Sequence, residues 1–208
     1  MNDTTTAPGR ADRMVAWINA LPVSKWLFYL AIVVLLGLLN NLSAWSSGTR
    51  PYGVFEFESS TDGLWPIFFL GYLVMLVNSG KVAFEKFRPL LPGSEAENAE
   101  LEQRFTVIGR RPERIAMFAA AFFIITPIIE FIIAGDPLSL ARILNLLYMI
   151  LFLALVNFAF FAMLLFLLRQ IRIIQTLHRN AEDVDLFDLG PAHAFSELTA
   201  GTGIGLML

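Results

Sequence analysis

Of 208 residues, 16% are charged and 56% hydrophobic, with a mean hydropathy of +0.63; a soluble domain holds about 25% charge and roughly 45–50% apolar residues. The net charge of −3 is too small to imply a nucleic-acid partner. The low charge and high apolar content point to lipid as the principal solvent, and the absence of Cys excludes disulfides, thiolate metal sites and Cys nucleophiles.

Residues 1–12 are polar, with Thr, Pro and Gly, and read as a disordered N-terminus. Over 13–22, Met14, Val15, Trp17, Ile18 and Leu21 share one helical face beside Arg13 and Lys25, the pattern of a helix lying in the membrane interface.

Crossing a ~30 Å hydrocarbon core takes roughly 20 mostly apolar helical residues. Four stretches qualify, at about 26–45, 64–84, 115–134 and 143–168, and together they define a transmembrane domain over 23–168. The first also resembles a signal peptide, with Arg10, Arg13 and Lys25 before its apolar run. Leu42 is a poor −3 residue for cleavage before Trp45, which favours a retained helix. The outer loop, about 46–63, carries Tyr52, Val54 and Phe55, and reads as a connector that packs back onto the helix ends.

The polar loop 85–114 follows span two. Pro89 and Pro92 end its extension, and Ser94 with Glu97 has capping-box spacing, so a surface helix is expected over about 95–107. Pro112 fits the first turn of span three. The basic residues Arg110, Arg111 and Arg114 read as a positive-inside anchor at the headgroups. Thirteen of the fifteen Lys and Arg residues fall on the side of both termini, leaving only Arg50 and Arg142 opposite. Basic residues are retained on the cytoplasmic side, which predicts N-in, C-in topology in a cell membrane.

Spans three and four are joined by Gly135, a helix terminator, Asp136, a cap for the next helix, and Pro137, suited to its first position. They should form an antiparallel hairpin.

Glu130 is the one charge clearly inside a span, where burial in lipid is costly. The hairpin places Arg142 at similar depth, with Asn145 nearby, and a Glu130–Arg142 ion pair is expected to staple it. A functional alternative makes Glu130 an ion or proton site, with Thr126 one turn away and Pro127 freeing the carbonyl of Phe123. Asn157, mid-span, is expected to hydrogen-bond across a helix interface. Ala116, Ala119, Ala120 and Ala121, with Gly37 and Gly71, permit close helix approach.

Residues 169–208 read as a cytoplasmic continuation of span four and a tail. Ile171, Ile174 and Leu177 form its apolar stripe. Asp183, Asp185 and Asp188 lack the Gly and closing Glu of an EF-hand, and His178 and His193 lack a second ligand pair. No HExxH, GxSxG, P-loop or GxGxxG is present. The reading is therefore a non-enzyme without cofactor or metal. The apolar end at 202–208 is either an interfacial tail or the start of a fifth span.

The segment VDLFDLGPAHAFSELTAGTGIGLML (184–208) resembles a junction in uncharacterised multi-pass bacterial membrane proteins. The resemblance implies further spans and a cytosolic segment, and assigns no activity. The expected fold is all-α and polytopic. The expected function is a membrane sensor, anchor or interaction module whose partners are the lipid bilayer, other membrane subunits or a cytosolic protein. The alternative is a transporter or channel subunit built around Glu130.

Overall fold

The computed structural model describes residues 8–56, 63–91, 94–134 and 139–180, and among them no strand occurs. The helices are α1 (Arg10–Asn19), α2 (Lys25–Ser46), α3 (Leu64–Phe87), α4 (Glu95–Thr106), α5 (Arg110–Ile133) and α6 (Leu140–Asn180). By length and composition, α2, α3, α5 and α6 can each cross a membrane. The fold is all-α and polytopic. A fifth span, the 184–208 junction, Asp183, Asp185, Asp188 and His193 lie outside the described residues.

The described residues fall into two compact units. One comprises Ala16–Leu70 and Arg114–Phe161. There α2 shows lipid-like exposure, with Trp26 80% exposed while Leu36 is buried. Its contacts include Ser43 Oγ donating to the Ala141 carbonyl at 3.4 Å. Phe69 meets Phe160 edge-on at 5.2 Å, and Phe123 stacks on Phe161 at 6.2 Å. The loop after α2 folds onto Trp45, whose indole N–H donates to the Val54 carbonyl at 2.9 Å. The rings of Tyr52 and Phe55 lie 5.2 and 4.8 Å from Trp45. Gly48 and Gly53, at φ +73° and +84°, make the turns this return requires.

The other unit comprises Met1–Val15, Gly71–Glu113 and Ala162–Leu208. Helix α3 ends at Phe87 in a 3₁₀ turn, Arg88–Leu90, that contains Pro89. Ser94 and Glu97 form the full capping box, so α4 starts where the spacing predicts and stops at Thr106. Its Phe105 packs on Phe84 at 5.9 Å between ring centroids. Ala83, Leu91, Leu101, Ile173 and Ile174 complete that cluster. The apolar contact of the α6 extension therefore runs through Ile173 and Ile174, while Ile171 is exposed.

The expected bounds of the N-terminal region are corrected. Helix α1 begins at Arg10 and ends at Asn19, where disorder through residue 12 and a helix over 13–22 were expected. Of the face expected to be apolar, Val15 and Ile18 are buried in protein together with Ala11, while Trp17 is 54% exposed. The cause is tertiary: the Ala11 N–H at the start of α1 donates to Glu113, and Asp12 accepts from the N–H groups of Ile108 and Gly109.

Candidate functional site

Three properties of the α5 sequence prepare a site. Pro127 lies inside the helix and cannot donate to the carbonyl of Phe123. Thr126 and Glu130 sit one turn apart on one face. Glu130 is also within four residues of the helix end at Ile133, where insertion of a charge costs less than at mid-bilayer.

The structure gathers these residues around an open groove of about 490 Å³ between α5 and α6. Thr126, Pro127 and Glu130 of α5 line it, with Arg142 and Asn145 of α6. Thr126, Glu130 and Asn145 are exposed. Phe123, Leu146, Met149 and Leu153 supply its apolar wall.

The expected Glu130–Arg142 ion pair is not formed among the described residues. Arg142 Nη2 donates instead to the Phe131 carbonyl at 2.7 Å, and its guanidinium lies 4.5 Å from the centroid of the Phe131 ring. The reason lies in the helix end. Phe131 is in the last turn of α5, whose carbonyls lack intrahelical donors and carry the negative pole of the helix dipole. The cation fills that vacancy and also gains the ring face.

The Gly135–Asp136–Pro137 turn lies outside the described residues. Helix α6 starts at Leu140, and Ser139 caps it by accepting from the Arg142 N–H at 3.2 Å. Sequence reading missed this Ser signal three residues beyond the Asp.

Asn157 does not line the groove. Its amide donates at 2.8 Å to the Leu153 carbonyl of its own helix, correcting the expected cross-helix bond. The carbonyl one turn back lies within reach of a short amide whatever the neighbouring helix offers. Asn41 also bonds back, to Gly37 O at 2.8 Å, and its Oδ1 accepts from Arg50 at 3.2 Å. Arg50 pairs in turn with Glu56.

A second polar assembly, in the other unit, was not foreseen. Residues 107–109 link α4 and α5, with Val107 extended and Gly109 at φ +82°. Asp12 Oδ1 accepts from the Ile108 N–H at 2.7 Å, and its Oδ2 accepts from Gly109 at 3.3 Å. Arg169 donates to the carbonyls of Val107 and Ile108 at 3.1 and 3.2 Å. Glu113, buried in the first turn of α5, accepts from the Ala11 N–H at 3.3 Å. Nearby in the same unit, Gln170 is buried with both amide atoms unpartnered, and Gly80 lies against it. The available signals were acids in the first turns of two helices, which mark the termini without naming a partner. This assembly satisfies backbone groups and ties segments together, whereas the α5–α6 groove is open to an occupant.

In comparison with known proteins, no family model, curated protein or solved structure matches the chain.

Proposed function

We propose that this protein is an integral membrane interaction module of the cell membrane, with both termini cytoplasmic, that binds a membrane-borne ligand in the α5–α6 groove. The observation that carries the reading is the exposed Glu130 carboxylate, with Thr126 and Asn145, on a surface that composition assigns to lipid. Polar groups facing hydrocarbon are costly unless partnered, so an occupant that satisfies them is stabilised there. The basic residues of 81–114 and 169–179 support the orientation.

A chain without Cys permits a direct test by single-thiol labelling. Ile133 is exposed outside the groove, while its neighbour Ala134 lines it. In intact cells an impermeant maleimide should label Ile133→Cys, which reports the outer location of the hairpin end. Ala134→Cys should react several-fold more slowly in native membranes and recover after delipidation in detergent. Equal rates at both positions before and after delipidation would remove the occupied groove.

A second reading, a transporter or channel subunit, draws on the carbonyl of Phe123 freed beside Pro127 and Glu130. It predicts flux in proteoliposomes that depends on pH or on a coupling ion and is abolished in Glu130→Gln.

A further inference from the structure

We propose that residues 50–56 form an interfacial clasp. The loop after α2 lies against the lipid-facing side of that helix and sets Tyr52, Val54 and Phe55 into the headgroup–acyl boundary of the adjoining leaflet. This gives the loop a lipid surface as its partner and is independent of the α5–α6 groove.

The side of α2 comes first. Successive helical residues turn by about 100°, so Leu36 and Ser43 share one side and Trp45 stands opposite them. The Leu36 side faces protein: both residues are buried, and Ser43 bonds to Ala141. Val34, Leu38 and Leu42, on the Trp45 side, are exposed. Asn41 lies one turn before Trp45 on that side, yet it is only 1% exposed. Its Oδ1 accepts from Arg50 at 3.2 Å, so the loop's own side chain reaches back along the helix. Five helical steps, roughly 7 Å, separate Asn41 from the α2 end at Ser46. Trp45 is the second attachment, its N–H bonded to Val54 and its ring flanked by Tyr52 and Phe55. The loop thus runs beside the last turn of α2, and its exposed apolar side chains continue the stripe of Leu38 and Leu42.

A segment at that depth has to satisfy its polar groups internally, and the loop does so at the helix end. The Ala44 carbonyl accepts from the Arg50 N–H at 3.3 Å and from the Thr49 hydroxyl at 3.0 Å. The Trp45 carbonyl accepts from the Gly48 N–H at 3.3 Å, and the Val54 N–H donates to the Pro51 carbonyl at 3.2 Å. The Arg50 charge is paired with Glu56. What points outward is apolar or amphipathic: Tyr52 is 88% exposed, and Val54 and Phe55 are exposed beside it. Tyr and Trp, with an apolar ring and one polar atom, are the side chains favoured where hydrocarbon meets headgroups. A water-facing connector requires neither the internal bonding nor the outward rings.

The test is depth-dependent fluorescence quenching of the full-length protein in phosphatidylcholine nanodiscs, which leave both faces open to solutes. A bimane on Val54→Cys, a unique thiol in this chain, reports the loop. Bromine placed near the headgroup end of the acyl chains should quench it several-fold more than bromine near the chain ends. Aqueous iodide should quench it several-fold less than the same probe on Glu95→Cys, whose side chain is 92% exposed. A probe on Leu38→Cys should show the opposite order of bromine depths, marking the hydrocarbon. Trp45→Ala removes the platform and its N–H, so the Val54 probe should become several-fold more open to iodide while the Leu38 probe stays as it was. Iodide quenching equal to that at Glu95, with none by either bromine, makes the loop a water-facing connector and overturns the proposal. Shielding from iodide and both bromines means that protein covers the loop, a second copy or another chain, and overturns the lipid. A Val54 probe that keeps its depth in Trp45→Ala overturns the attachment through Trp45.

Discussion

Asp12 and Glu113 exchange helix caps. Asp12, in the first turn of α1, accepts from Ile108 and Gly109 just ahead of α5, and Glu113, in the first turn of α5, accepts from Ala11 at the start of α1. Each carboxylate thus answers backbone donors at or beside the other helix's N-terminus, where free N–H groups and the positive dipole end favour an anion.

Removing either cap should destabilise the protein by about 1–2 kcal/mol. Thermal unfolding in detergent should show a lower Tm for Asp12→Ala and for Glu113→Ala. The double variant should lose less than the sum, because the two caps hold the same pair of segments. Strict additivity would mean that each acts alone. Gly9→Ala should also lower Tm, since a Cβ there would collide with the Glu113 carboxylate.

Gln170 leads to a prediction of opposite sign. Its amide is 2% exposed and unpartnered. A buried amide without partners costs about 1–3 kcal/mol, so Gln170→Leu should raise Tm. A fall instead would reveal a bound water that satisfies the amide. Gly80→Ala should lower Tm in wild type, its Cβ meeting Gln170 Nε2 at 2.6 Å.

The capping box of α4 should be pH-dependent. The backbone N–H and the hydroxyl of Ser94 both donate to Glu97, holding its carboxyl below the ordinary glutamate value. A depressed folded pKa means that its support for α4 is present above the ordinary value and fades as pH falls through the lowered one. Hydrogen-exchange protection at the first turn of α4, taken relative to the intrinsic rate at each pH, should therefore fall in acid. In Glu97→Ala protection of that turn should be low throughout with no such fall in acid, and Ser94→Ala, which keeps the backbone donor, should retain part of the pH response; an unchanged pH response in Glu97→Ala would locate the effect elsewhere.

Arg142→Lys should not substitute for Arg. It loses the fork that reaches the Phe131 carbonyl and the planar stack on the ring, costing about 1–3 kcal/mol. Asn157→Leu should stay within about 1 kcal/mol of wild type, because its amide bonds only within α6 among the described residues. A large loss in Asn157→Leu with none in Arg142→Lys would reverse these assignments.

The spans were legible because hydrocarbon imposes length and composition directly, and both are linear properties of a chain. The α4 start was equally legible, since the Ser94–Glu97 box closes within four residues. So was the nearness of Thr126, Pro127 and Glu130 to Arg142 and Asn145, which a helical hairpin brings to one depth. Which atoms then bond was not. Arg142 was expected to meet Glu130, and its guanidinium donates to the Phe131 carbonyl at the helix end. Asn157 had a neighbour helix and its own backbone, and the backbone was nearer. Asp12, Glu113 and the adjacent Arg169 and Gln170 come from three distant parts of the sequence and become partners or neighbours only in three dimensions. Hydropathy and local spacing by themselves determined the helices and the hairpin. Tertiary structure alone decided the pairing of polar groups, because a hydrogen bond is settled by ångström-scale competition among donors and acceptors that a linear pattern does not rank.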